Sequence, residues 1–273
     1  MGTCTGNPAP DMSTPDTSAP VLRSSRGKDV PGPIRAAPPS RRAGTYACTR
    51  CLVRHLAVCT ALSAEQTEAL DAMAGDVRLQ AGQMLAREGD VRRYVFTVTS
   101  GALRRIRVLP DGRRLVAGFL MPGDFIGFSG ASHYRHSIEA ISDSVLCSIA
   151  QSDMRELCER HPGLEHELLE RACVELDATR NNLMALARMT PLERLAGFLL
   201  DMAARRQRQG IGGNQLVLPM TRADIADYLG LTVETVSRSF TKLRQDGMIA
   251  ASDPHHIELL DSERLRALAE ARA

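Results

Sequence analysis

Between Gly163 and Arg188, the residues Leu169, Ala172, Leu176, Thr179, Leu183 and Leu186 recur at alternating steps of three and four. That is the a/d spacing of a coiled-coil seam, a stripe narrower than the face of an ordinary core helix. Pro162-Gly163 marks its start and Thr190-Pro191 its stop. At ~1.5 Å per residue the helix reaches about 39 Å. Glu167, Glu170, Glu175, Asp177 and Arg180 flank the stripe and keep it thin. A thin seam suits one facing helix, and a second copy of the same helix satisfies it best. Segment 163–189 is therefore expected to be the dimerisation helix of a homodimer, with a domain at each end.

Beyond the helix, Thr190-Pro191-Leu-Glu193 is a capping box with Pro at the first helical position. It opens a helix expected to run to about Gln209. A short strand, Leu216 to Leu218, then leads into a helix, a turn at Gly230 and a second helix through Leu243. This is helix-turn-helix spacing. Ile225, Leu229, Val236, Phe240 and Leu243 supply a shared core. Glu234, Ser237 and Arg238 stand at i, i+3 and i+4 on the opposite face and project together. Arg pairs with guanine in two hydrogen bonds, Glu accepts from cytosine N4, and Ser adapts to either role. Thr221, Arg222, Thr232, Thr235 and Lys242, from the same helix-turn-helix segment, complete the candidate contacts to double-stranded DNA. Residues 247–260 read as a two-stranded wing turning near Asp253-Pro254, within a DNA-binding domain spanning 190–273.

The formal net charge is only +2 over 273 residues, so any DNA-binding surface must be local. No run of ~18 apolar residues is long enough for a membrane span. Residues 1–43 lack the apolar core of a secretory signal, so a reducing, cytoplasmic location is expected. Residues 1–44 hold eight of the 14 prolines and almost no large apolar side chain. They are expected to form a disordered tail, with Cys4 incidental.

The seven cysteines are unevenly spread, with Cys48, Cys51 and Cys59 inside twelve residues. In a reducing compartment such a group binds metal or works in redox chemistry. His55 could complete a local Cys3His zinc site, or a fourth thiolate from elsewhere could complete a [4Fe–4S] site. Spacing alone leaves both open for this loop, 45–62. Ser63-Ala-Glu-Gln66 caps a short helix carrying Leu70 and Met73. From Gly82 to Ile149, short alternating runs such as Tyr94-Phe96-Val98 are broken by turn glycines. They predict an all-β roll within 63–162. Val145, Cys147 and Ile149 share one strand face. Strand pattern alone reads Cys147, like the helical Cys158 and Cys173, as a small buried hydrophobe.

The whole is an α+β chain with a β-roll of the cyclic-nucleotide-binding type, a long helix and a winged helix-turn-helix. Over roughly Tyr46 to Leu260 that order resembles the Crp/Fnr transcription regulators. Leu229-Gly-Leu-Thr-Val-Glu-Thr-Val-Ser-Arg238 is similar to the recognition segment of the Fnr branch. The resemblance implies an oxygen-labile [4Fe–4S] cluster held by Cys48, Cys51 and Cys59, in a C-x2-C-x7-C spacing, with Cys147 at the β-roll position. It further implies TTGAT-like half-sites, recruitment of RNA polymerase at low oxygen, and no enzymatic activity. The alternative is the same kind of regulator with structural zinc, or with another small-molecule or redox signal. The cyclic-nucleotide branch places a Glu after its Pro-Gly turn and an Arg-Ser pair further on. Here Phe128 and His136-Ser137 stand at those places, with Arg135 one position early, so a cyclic nucleotide is not expected.

Overall fold

The computed structural model describes residues 40–41, 48–128 and 130–270, side chains of 40, 41 and 49 aside. The expected tail lies outside the described residues, except Ser40–Arg41. These two form strand β1, paired antiparallel to Asp76 and Gly75. Three short 3-10 turns (Cys48–Arg50, Arg54–Leu56, Val58–Ala61) carry the clustered cysteines. Helix α1, Ala64–Met73, begins with the expected box: Ser63 accepts from the Gln66 amide and Gln66 reaches back to that of Ser63.

Eight strands follow or join β1 to build the roll: β2 (Gly75–Leu79), β3 (Met84–Ala86), β4 (Tyr94–Ser100), β5 (Leu103–Val108), β6 (Arg114–Leu120), β7 (Phe125–Ile126), β8 (Ser137–Ala140) and β9 (Ser144–Ala150). They form two antiparallel sheets, β1-β2-β9-β4-β7 and β3-β8-β5-β6. Strand period two decides what each residue meets. Phe96, Val98, Leu103, Leu120 and Leu146 fill one core. Val95 and Ile149, one residue out of phase, join Leu70, Met154, Leu157 and Leu164 in a second, which also takes in Cys48, Cys59 and Cys147. Gly101, between β4 and β5, has a left-handed φ of 83°. A Cβ there would stand 2.4 Å from the Asp143 carbonyl, so only glycine fits.

Helix α2 (Gln151–Arg160) leads into α3, Pro162–Arg188, the 27-residue helix anticipated from the seam. Leu164 is its buried side chain among the described contacts, whereas Leu169, Leu176, Leu183 and Leu186 remain exposed. Ala172 is half-buried and Thr179 exposed. Thr179 hydrogen-bonds back to the Glu175 carbonyl within the helix.

The C-terminal part comprises α4 (Pro191–Arg208), β10 (Gln215–Val217), α5 (Arg222–Leu229), α6 (Val233–Gln245), β11 (Ile249–Ala251), β12 (His256–Leu259) and α7 (Ser262–Glu270). The wing is larger than the expected two strands, because β10 pairs with β12 to give the order β10-β12-β11. Helix α7 packs against α4 through Leu265 and Ala269. All five predicted core residues of the helix-turn-helix are buried. Gly230 ends α5 with φ 63°, and a Cβ there would approach Leu186 at 3.1 Å. The turn needs the left-handed conformation that glycine adopts without strain.

Candidate functional site: a thiol-lined cavity and a DNA-reading face

Cys48, Cys51 and Cys59 come from the loop and Cys147 from β9, yet all four line one small cavity. Cys147 sits opposite Thr97 of β4 and Asp76 of β2 in the sheet. Its side chain points to the outer face, under the loop. Thr97, Thr99, Val53, Val58, Leu70, Ile149, Met154 and Leu164 complete the wall. Cys147 is therefore half-buried on the cavity wall, packed against the second core and outside the inter-sheet core. Cys158 keeps the bland reading, half-buried at the edge of the same apolar cluster. Cys173 does not: it is exposed on α3, because it falls beside the seam rather than facing the roll.

The loop is held from several directions. The Cys48 amide donates to Asp71 of α1 at 3.1 Å. Arg54 donates to the Leu62 carbonyl at 2.7 Å, and Arg171 of α3 donates to that of Leu56. Leu164 of α3 closes the cavity wall. Burial, then the neighbouring Cys51, pushes the Cys59 thiol up, with Arg54 and Arg171 opposing. His55 is exposed on the loop and contributes nothing to the wall. No three His, Cys, Asp or Glu side chains among the described residues converge closely enough to grip a single ion. A [4Fe–4S] cluster takes one thiolate at each of four irons, so its ligands stand farther apart than those around one ion. Four thiols on a largely apolar wall match such a cluster in number and type of donor.

At the position of a cyclic-nucleotide ribose acceptor, Phe128 stacks near Phe125, ring centroids 4.9 Å apart. Burial and the nearby Arg105 push the His136 imidazole below its ordinary value, disfavouring a cation there. Ser137 is engaged by the Glu88 amide at 2.9 Å, and Arg135 is exposed.

The second site is on α6. Glu234, Ser237 and Arg238 are exposed together. Thr232 caps the helix by accepting from the Thr235 amide at 3.2 Å, and Arg238 donates to the Thr235 hydroxyl at 3.3 Å. Glu234 is held below the usual carboxylate range by its own helix-terminal amide, then by Thr232. Thr221 caps α5 together with Asp224, a box of Thr-x-x-Asp type. Lys242 is exposed and paired with Asp246 at 2.8 Å. Arg222 is half-buried. Its guanidinium lies over Phe240, 3.2 Å from the ring centroid, and Nη1 finds no hydrogen-bond partner among the described residues. Burial lowers its pKa to about 10, so it stays charged at neutral pH and is stabilised by the ring face.

A roll of the cyclic-nucleotide-binding type, joined through a long helix to a winged helix-turn-helix, defines a DNA-binding regulator with a sensory domain. Comparison with known proteins agrees. The family model of the cyclic nucleotide-binding domain matches residues 76–161, and that of the Crp-like helix-turn-helix domain matches 193–268. The nitrogen fixation regulation protein FixK of Bradyrhizobium diazoefficiens is 37% identical over 224 residues, 82% of this chain and 94% of that protein. The transcriptional activator protein FnrL of Cereibacter sphaeroides is 34% identical, covering 81% and 90%. The structure of FixK2 from Bradyrhizobium japonicum superposes with a TM-score of 0.69 at 32% identity, covering 73% and 99%. The chain belongs to the Crp/Fnr family of transcription regulators. Members of this family bind DNA and act as dimers; they are regulators, not enzymes. No described helix is long and apolar enough to cross a membrane.

Proposed function

We propose that this regulator is a homodimeric, oxygen-responsive transcription activator whose DNA binding is controlled by a [4Fe–4S] cluster at Cys48, Cys51, Cys59 and Cys147. The observation that carries the reading is the shared cavity of those four cysteines, drawn from positions 88 or more residues apart in the case of Cys147. When bound, such a cluster supplies an oxygen-labile redox centre. The protein's own residues do the rest. Leu164 and Arg171 tie the cysteine loop to α3, so ordering of the loop is felt by the helix that carries the seam. Exposed Leu169, Leu176, Leu183 and Leu186 favour a second copy, since their burial is worth roughly 1.5–3 kcal/mol each. The dimer then presents two α6 helices to TTGAT-like half-sites about one helical turn apart. The activator role and the contact to RNA polymerase follow the Fnr-type resemblance and the name of the FnrL relative. Phe128 and His136 support leaving cyclic nucleotide out.

Zinc makes the opposite demand on two residues, which gives the test. Purified without oxygen, the Cys147→Ser chain loses the brown chromophore and its iron, while His55→Ala keeps both. Iron and zinc analysis with absorption spectra read this out. A colourless wild type carrying one zinc per chain, released by His55→Ala, sinks the cluster and leaves the DNA-binding assignment standing.

A further inference from the structure

Asp224, at the third position of α5, has a side chain with 0% exposure, yet it is an ion. Its Oδ2 accepts from the Thr221 amide at 3.1 Å and hydroxyl at 2.8 Å, closing the cap. Its Oδ1 accepts from Arg104 of β5 at 2.5 Å and Arg114 of β6 at 2.8 Å. Both arginines belong to the sensory roll. Arg104 also pairs with Glu139 of β8 at 3.1 Å, and Arg114 with Asp227, further along α5, at 2.9 Å. Apolar packing surrounds the ions: Phe119 of β6 lies 5.2 Å from Tyr228, and Ile106 and Val116 enter the core of the DNA-binding domain. Desolvation opposes the Asp224 carboxylate, but Thr221, Arg104 and Arg114 together hold it below its ordinary range.

A surface ion pair tolerates loose geometry, whereas a buried carboxylate shared by two arginines does not, because either loss leaves charge uncompensated. The strand that supplies Arg104 also sends Arg105 to Glu175 of α3. One hairpin thus grips the dimer helix and the first helix of the DNA-binding pair. With the grip closed, Glu234, Ser237 and Arg238 are exposed.

We infer that Arg104, Arg114 and Asp224 form an interdomain clamp, which fixes the helix-turn-helix against the sensory roll in the orientation that presents α6 to DNA. Asp224 is a positioning residue: it faces the roll, touches none of Glu234, Ser237 and Arg238, and holds Thr221 as the α5 cap. The clamp needs only the DNA-binding assignment and is independent of which signal the roll senses.

The test uses the full chain carrying Arg104→Gln and Arg114→Gln, changes more than a hundred residues from α5 in sequence. The expected result is faster amide hydrogen exchange across α5 and α6, with β4 and β9 unchanged. Affinity for a two-half-site duplex bound by the wild type falls about tenfold or more, as expected for a broken buried charge pair. Asp224→Asn, which retains an oxygen for the Thr221 cap, gives the same loss and serves if the double variant does not fold. Unchanged exchange and affinity in these variants overturn the clamp. Tighter DNA binding also overturns it, because the contact would then hold a DNA-silent form.

Discussion

The thiol cavity and the DNA-reading face are built in opposite ways. The face is polar, exposed and made from one continuous segment: Thr232, Glu234, Thr235, Ser237 and Arg238 hydrogen-bond mainly to their own helix. The cavity is largely apolar, partly buried and assembled from the loop, α1, β4, β9, α2 and α3. A change on the face alters one contact and leaves its neighbours in place. A change in the cavity wall reaches α3, the helix proposed to carry the dimer seam. The first should behave additively and the second should not.

The sharpest way to break that contrast is to cut the link on α3. Replacing Leu176 and Leu183 by Glu places like charges in the seam and should convert the dimer to monomer in sedimentation, abolishing two-half-site binding. Persistence of the dimer would move the interface elsewhere. Next in size, Leu164→Ala should cost ~2–5 kcal/mol in denaturant unfolding, the range for a buried leucine. It should also lower metal content and dimerisation together, because Leu164 sits in both the wall and α3. If unfolding shifts but metal content holds, the cavity is less dependent on α3 than its lining suggests.

On the reading face, Arg238→Ala should cost ~1–3 kcal/mol on the specific site and relax preference at one guanine, while binding to unrelated duplex barely changes. An equal loss on every sequence would make Arg238 a phosphate contact. The smallest effect is expected from Thr232→Ala, which removes the α6 cap for ~1 kcal/mol of stability. Thermal melting reads it, and metal content should not move.

How much of this was legible beforehand depends on the range of the interaction. The helix over α3, the capping boxes of α1 and α4, and the helix-turn-helix core all rest on patterns spanning a few turns. Periodicity and cap chemistry act between residues three or four apart, so the amino-acid order by itself determined them. The clustered Cys48, Cys51 and Cys59 belong here as well. Cys147 does not: strand alternation placed it on a face, but could not say that the cysteine loop covers that face. Resemblance, not pattern, singled it out from Cys158 and Cys173.

Only the tertiary structure decided that the Arg222 guanidinium lies on Phe240, since a first helical position gives no sign of a ring arriving from the next helix. It likewise decided that β10 joins the wing and that Ser40–Arg41 edge the roll. The Arg104–Asp224–Arg114 cluster is the clearest case. Nothing in the local sequence of Arg104, Arg114 or Asp224 links the two strand residues to the helix residue more than a hundred positions away. Burial and pairing arise when two domains meet, and that proximity is set by the fold of the whole chain rather than by any local rule.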